Sequence, residues 1–404
     1  MVRRGWRVVV LTSARGYEDP RTKYKKRQML EGVEVIRLPL SSFGKSSIPV
    51  RLIAQSLFLL EAMLRALVIR DLRGILISTS PPAAPAAGVA LSAVRRVPVE
   101  YWVMDLNPDQ MVAMGKLGPR SLPARVFEAM NRLILRRASE VVVLDRFMAD
   151  RILRKADVSD KITVLPPWPH EDHLQRVPHE QNAFRREHGL DGKFVVMYSG
   201  NHSPANPITT LVEAAKQFRS DARYVFLFVG GGRAKREVET AIAQGYSNIR
   251  SLPYQPLGRL GHSLSAADVH VVSLGNDMVG IVHPSKIYGA MAVGRPLLTI
   301  GPAESHLADL VTRYGLGYHV AQGDVAGAVD ALRKLAALSA DELRAMGERG
   351  VRATHGDLSQ PALVEEFCRV IESGIGSART GSAAGHWLPL VSVVAVAAVV
   401  AVLA

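Results

Sequence analysis

Residues 273–302 read SLGNDMVGIVHPSKIYGAMAVGRPLLTIGP, and this stretch decides how the chain is expected to fold. The apolar run leading into it, HVVSL, has the length and β-branched content of a buried strand. A loop carrying His283, Pro284, Ser285 and Lys286 follows. Pro284 suits the first turn of a helix, where its missing N–H has no partner to lose. Ser285 and Lys286 then fall where unpaired backbone N–H groups and the positive end of the helix dipole gather. Such helix starts hold anions, and the lysine adds a point charge. The spacing predicts a helix over Lys286–Val293, stopped by Gly294, with Arg295 to Leu298 leading into a second buried strand. Strand, anion-binding helix start and strand make one half of a nucleotide-binding α/β domain, so a phosphorylated ligand is expected.

Working outward, short apolar runs alternate with helical patterns along the whole chain, the pattern of parallel sheets covered on both faces. In the first half, strands are expected at Arg7–Thr12, Val33–Leu38, Gly74–Ser78, Val99–Met104, Glu140–Leu144 and Lys161–Leu165, with helices such as Ser121–Arg137 and Arg146–Lys155 between them. Pro166, Pro167, Trp168 and Pro169 interrupt the pattern as a linker. Strands resume at Phe194–Ser199, Tyr224–Val229, Ile249–Leu252, Val269–Leu274, Pro296–Ile300 and Gly317–Val320. The expected organisation is a first domain over 1–168, a second over 169–373, a linker over 374–386 and an apolar helix over 387–404. Two doubly wound halves imply a cleft, with ligands at the carboxyl ends of the strands. The helix expected over Val50–Arg70 is apolar almost all round, which suits either a buried core helix or one lying on a bilayer with arginines at its edges.

Composition narrows the partners. The 404 residues give a formal charge of +13, which suits nucleic acid, anionic lipid or an anionic substrate. No nucleic-acid-binding signature accompanies it, so nucleic acid is not expected as a partner. The basic run from Lys23 to Arg27 reads as a solvated loop. A single cysteine, Cys368, excludes an internal disulfide framework and lies in an apolar helical context. The stretch WLPLVSVVAVAAVVAVLA, uncharged from Trp387 to Ala404, is long enough to be a minimal membrane-spanning helix. No secretory signal precedes the first strand, which places the body of the protein on the cytoplasmic face of the cell membrane.

Further motifs carry chemistry. MYSGNHSPAN runs from a strand into a turn where Gly200 allows close backbone approach and Asn201 tolerates left-handed geometry. FVGGG places Gly231 after another buried strand, either beside a phosphate or in a simple turn. In the first half Asp105 follows the strand VEYWVM, with Asn107 and Asp109 close behind. Ser80, followed by Pro81 and Pro82, ends the preceding strand. A carboxylate at Asp105 could bind a ligand hydroxyl, or serve as a turn aspartate.

Taken in order, YSGNHSPAN, FVGGG, NIRSLPYQPLGRL, SAADVHVVSL, HPSKIYGAMAVGRP and GPAESHLADLV, with ILISTSPP, YWVMDLNPDQMVAMGKL and VLPPW before them, resemble the retaining family 4 glycosyltransferases of the GT-B fold. The likeness covers residues 5 to 375 and is nearest to bacterial cell-surface polysaccharide enzymes with a PSK-type donor loop. It implies two Rossmann-like domains facing across a cleft. It also implies transfer of a hexosyl or N-acetylhexosaminyl group from a nucleotide-sugar to a lipid-linked or glycan acceptor, with retention and with no metal or other cofactor. A front-face mechanism assisted by the donor phosphate is the family expectation. Lys286, with Pro284, Ser285, Gly200 and Asn201, would neutralise the leaving pyrophosphate. Pro253 and Tyr254 fall where members place the base. Asp105 and Lys286 stand as the catalytic candidates, with Ser80, Asn107 and Asp109 on the acceptor side. Gly289 and the pair Gly280–Ile281 replace the two acids of the family's E-x7-E pattern, and Glu304 is the candidate for the sugar or ribose hydroxyls. Family members carry a further strand, glycine-rich turn and helix ahead of Arg4–Val8, which implies either an upstream start or a site that has lost a part. The alternatives are a nucleotide-sugar epimerase on a similar scaffold and a non-catalytic scaffold of a polysaccharide assembly complex.

Overall fold

The alternation of apolar runs with amphipathic helices produces two parallel sheets. The computed structural model describes residues 1–14, 24–39, 48–168, 174, 176–380 and 391–396. These divide into a unit of Met1–Leu144, Met148–Leu165 and Glu365–Ala404, and a unit of Asp145–Phe147 and Pro166–Val364.

In the first unit the elements in chain order are β1 (Trp6–Ser13), β2 (Arg27–Leu30), β3 (Val33–Leu38), α1 (Ile48–Leu67), β4 (Leu72–Ser78), α2 (Ala84–Arg95), β5 (Val99–Val103), α3 (Asp109–Ala113), α4 (Leu122–Arg137), β6 (Glu140–Val143), α5 (Arg146–Leu153) and β7 (Ile162–Val164). The second unit holds α6 (Ala183–Glu187), β8 (Phe194–Ser199), α7 (Thr209–Gln217), β9 (Tyr224–Val229), α8 (Lys235–Ala243), β10 (Ile249–Leu252), α9 (Leu260–Ser265), β11 (Val269–Ser273), α10 (Lys286–Ala292), β12 (Leu297–Ile300), α11 (His306–Tyr314), β13 (Gly317–Val320), α12 (Val325–Ala337) and α13 (Ala340–His355). Helix α14 (Gln360–Thr380) then carries the chain back to the first unit, where β14 (Val391–Val396) closes the order of elements.

The second unit's sheet runs β10-β9-β8-β11-β12-β13 and is parallel throughout. Strands β8 to β10 are laid down in one direction, and β11 to β13 start again on the other side of β8. That reversal puts a crevice at the carboxyl ends of β8 and β11, the place where such sheets take ligands. Beneath it, Phe226, Phe228, Val196, Val271, Leu298 and Leu332 form one apolar core. Each such side chain stabilises the fold by about 1.5–3 kcal/mol on burial.

The first unit's sheet has eight strands in the order β2-β3-β1-β14-β4-β5-β6-β7, antiparallel only between β2 and β3. Three expectations change here. The apolar helix expected over 387–404 is not formed at Val391–Val396, which instead pair as a strand with β1 on one side and β4 on the other. The remainder of that stretch lies outside the described residues. The physical reason is shared composition: a strand in the middle of a parallel sheet is apolar on both faces, so its sequence looks like a membrane span. Its valines favour the strand. Among the described residues no helix is long and apolar enough to cross a membrane, and the transmembrane helix expected from the sequence is not supported. Second, the second domain ends at Val364 rather than 373, because α14 changes units along its length. Third, the basic run expected as a loop ends in β2, where Arg27 pairs with Glu34; Lys23 lies outside the described residues.

α14 is held by specific contacts. The Trp6 indole N–H donates to Glu372 at 2.7 Å, Phe367 packs on Trp102 with ring centroids 4.9 Å apart, and Cys368 is buried. Beneath the helix Glu100, on β5, is fully buried, among the described residues no side chain hydrogen-bonds its carboxyl oxygens, and a side chain at Gly374 would collide with it. Burial, with Glu140 adding repulsion, pushes the Glu100 carboxyl up to about 8. A folded-state value above the unfolded one means that stability falls as pH rises from the unfolded value through about 8. Glu100→Gln is therefore expected to stabilise the chain, on the order of 3 kcal/mol above pH 8 and little below pH 4. Denaturant titrations at pH 4.5 and 8.5 check this, and an equal effect at both would contradict it.

Candidate active site

At the carboxyl end of β8 the chain turns through Ser199, Gly200 and Asn201. Gly200 has φ +133°, and a β-carbon there would crowd the Lys286 amine at 3.3 Å. The neighbouring turn after β9 is tighter still: Gly230 has φ +126°, and a β-carbon on it would sit 2.1 Å from the Gly200 carbonyl. Only glycine lets the two loops touch in this way. Lys235, from the start of α8, ties the second loop down by donating to the carbonyls of Gly230 (2.7 Å) and Leu252 (3.0 Å).

Between these loops and α10 lies a cavity of about 200 Å³. Ser199, Gly200, Val229, Tyr254, Gln255, Leu264, His270, Val272, Lys286 and Gly289 are among the residues that line it. Its walls are largely apolar, and Lys286 supplies the ammonium. That amine donates to the Tyr198 hydroxyl at 2.7 Å and reaches the Asn201 carbonyl at 3.4 Å. Both partners are neutral. Removal from water, with no counter-charge among the described residues to offset it, brings Lys286 down to about 7. His270, wholly buried behind the cavity with Nε2 2.9 Å from the Leu264 carbonyl, is brought down to about 4 and stays neutral.

The cavity gathers Gly200, Tyr254, Lys286 and Gly289 as lining residues. Asn201 contributes its carbonyl, and Gly231 lies under the Tyr254 ring, whose nearest atom would be 3.2 Å from a β-carbon there. Pro253 is exposed beside Tyr254, which is itself half exposed. Pro284 is buried, and Ser285 is exposed at the cap of α10 without a side-chain capping bond. Glu304 is exposed in the loop before α11 and is not among the residues lining the cavity. Sequence reasoning left out Tyr198, Gln255 and His270. Tyr198 was legible in principle, as the last large residue of β8 before the glycine turn.

Also unassigned was the anchor of the HPSK loop. His283 meets Asp145 through Nδ1 at 2.9 Å and the Tyr288 hydroxyl through Nε2 at 2.9 Å, so the residue just before Pro284 is fixed from both sides. The His306 ring stacks on it with centroids 4.1 Å apart and planes 18° from parallel. Asp145, His283 and His306 bring ligand-type atoms within 4.8 Å of one another, as a metal site would. In-plane lone pairs of two stacked rings do not converge on one ion, and both His283 nitrogens already have partners. The arrangement is that of a hydrogen-bonded brace for the loop.

In the first unit Asp105 is half-buried just beyond β5, with its backbone N–H donating to the Thr79 hydroxyl at 3.1 Å. Burial raises its carboxyl above the usual range. Asn107 gives its carbonyl to the Asn131 amide, and Asp109 is held in ion pairs by Lys155 (2.9 Å) and Arg151 (3.7 Å). Asp109 thus braces α3 against α5. Ser80 is half-buried at the end of β4.

Comparison with known proteins agrees with this geometry. The description "Glycosyl transferase 4-like domain" matches residues 1–168, and "Glycosyl transferases group 1" matches residues 180–352. Among curated proteins, the chain is 25% identical over 227 residues to the probable glycosyltransferase WbjE of Pseudomonas aeruginosa, covering 55% of this chain and 56% of that protein. It is 27% identical over 213 residues to WcaI of Escherichia coli strain K12, a putative colanic acid biosynthesis glycosyl transferase, covering 52% of each. The matched stretch thus spans about half the length of these curated relatives. Among solved structures, sucrose-phosphate synthase from Thermosynechococcus elongatus shares the fold with a TM-score of 0.70 at 17% identity, over 93% of this chain and 91% of that one. HepE of Anabaena in complex with UDP gives 0.63 at 15% identity, over 78% and 82%. WaaG, involved in lipopolysaccharide biosynthesis, gives 0.61 at 16% identity, over 95% and 93%. Two successive transferase domains on two doubly wound units place this chain in the family 4 glycosyltransferases of the GT-B fold.

Proposed function

We propose that the chain transfers a sugar from a nucleotide diphosphate sugar to a lipid-linked or glycan acceptor at the cytoplasmic face of the cell membrane, with retention of configuration and without a metal. The observation that carries this reading is Lys286, whose ammonium sits in a largely apolar cavity beside a glycine turn with no counter-charge among the described residues. A diphosphate supplies the missing charge, and charge-assisted contacts of this kind gain strength away from water. The bond broken is that between the anomeric carbon and the diphosphate oxygen. The bond formed joins that carbon to the acceptor hydroxyl on the same face, and the hydroxyl proton passes to the departing phosphate oxygen. Solved complexes of HepE with UDP and with UDP-glucose support a uridine nucleotide as donor. The name of WcaI supports a surface polysaccharide as the product's destination. Asp105 is proposed to hold an acceptor or sugar hydroxyl.

Purified chain incubated with UDP-, GDP- and dTDP-sugars and a membrane lipid extract tests the reading. Transfer from one donor class into lipid is expected, with Asp105→Asn lowering transfer about 100-fold and leaving nucleotide binding within about twofold. Epimerised free nucleotide-sugar, or binding without turnover, would replace this reading with the epimerase or the scaffold.

A further inference from the structure

Two helices of the first unit are apolar on the side away from the sheet. On α1 one stripe, Ala54, Phe58, Ala62 and Ala66, is buried in the core, and a second, Ile53, Leu60 and Leu64, points outward. On α4, Leu122, Val126 and Leu133 repeat the outward stripe at helical spacing. These six side chains are between 49% and 73% exposed, far more than the packing of a single surface helix requires. Helix α2 lies between the two, packed on both, so the stripes belong to one layer, and Val94 on α2 is exposed between them.

Arginine borders the stripes. Arg65 and Arg70 are exposed at the end of α1, Arg96 after α2, and Arg125, Arg132, Arg136 and Arg137 along α4. The acids here are few, and Glu128 is already engaged by Arg132 and Lys155. An apolar ridge edged with arginines matches the layering of a bilayer, where anionic headgroups meet the guanidinium groups and acyl chains meet the leucines. A second copy of the chain would bring the same arginines against these, like charge against like.

We propose that the outer face of α1, α2 and α4 docks on an anionic lipid surface, lying on the bilayer rather than crossing it. This rests on the reading of a transferase that works at the membrane face and names the surface that would hold it there, and it is tested without turnover. Full-length chain is sedimented with vesicles of phosphatidylcholine alone and of phosphatidylcholine with phosphatidylglycerol. Binding to the anionic vesicles, weakened by salt, is expected. Leu60→Glu with Leu64→Glu should reduce partitioning about 100-fold. Arg125→Gln with Arg136→Gln should reduce it roughly tenfold or more on anionic vesicles alone. UDP binding, a property of the second unit, should be unchanged in both variants, and a first thermal unfolding transition equal to the wild type's by circular dichroism reports that the first unit is folded. Because both variants keep the apolar C-terminal stretch, binding equal to the wild type would overturn the proposal. So would a wild-type chain that ignores anionic vesicles, or a dimer in solution that the leucine variant converts to monomer.

Discussion

Lys286→Ala is expected to lower the rate of sugar transfer about 100- to 1,000-fold, the range for removing a group that meets charge developing on a leaving oxygen. The variant should fold, because Lys286 makes neutral contacts with Tyr198 and Asn201 and, among the described residues, has no ion pair that its loss would orphan. The sharper signature is in protons. Lys286 stands at about 7 in the free chain, well below its ordinary 10.5. A diphosphate favours the charged form and raises that value, so above pH 7 the nucleotide must bind together with a proton. Affinity for UDP should therefore fall as pH rises from 7 towards 10. Calorimetry at pH 8 in buffers of different ionisation enthalpy should report an uptake approaching one proton per site in the wild type and none in Lys286→Ala. Equal uptake in both would show that the lysine does not face the phosphates.

The second large effect concerns β14. A proline at Val394 removes a backbone donor from a strand flanked on both sides, which costs about 3 kcal/mol or more in mid-sheet. Val394→Pro should lower the first unfolding transition of the chain and expose the first unit to protease, while UDP binding by the second unit persists. Val394→Ala, which keeps the backbone donor, should lower the transition much less and leave the first unit resistant to protease. An unchanged melting profile would mean that β1 and β4 do not depend on the segment between them.

Most of the architecture was legible because buried parallel strands announce themselves. Val33–Leu38, Phe194–Ser199, Tyr224–Val229, Ile249–Leu252 and Gly317–Val320 form with the bounds their apolar runs gave. Two strands were not. β2 is short, charged and at an edge, so its pairing comes from β3 rather than from its own pattern. β14 has a pattern, but an uninterrupted apolar run does not say whether lipid or flanking strands will cover it. At the site, the glycine turns and Lys286 were legible from local chemistry. The Asp145–His283 contact joins residues 138 apart in sequence, and Asp145 reads as an ordinary strand-end aspartate until the fold brings it there.

The position of β14 in the chain has a consequence for synthesis. The second unit is complete by Val364, whereas the first unit's sheet lacks a middle strand until residues 391–396 have been made. At about 5–20 residues per second, the roughly 300 residues separating β4 from β14 take about 15–60 s to translate. Through that interval the earlier half of the nascent chain carries two open strand edges, and over its last part, once Val364 has been made, the later half already has all its parts. The order of maturation is thus the reverse of the order of synthesis, and the ribosome-bound intermediate is the species for which a chaperone or a slower, cooler expression regime matters most.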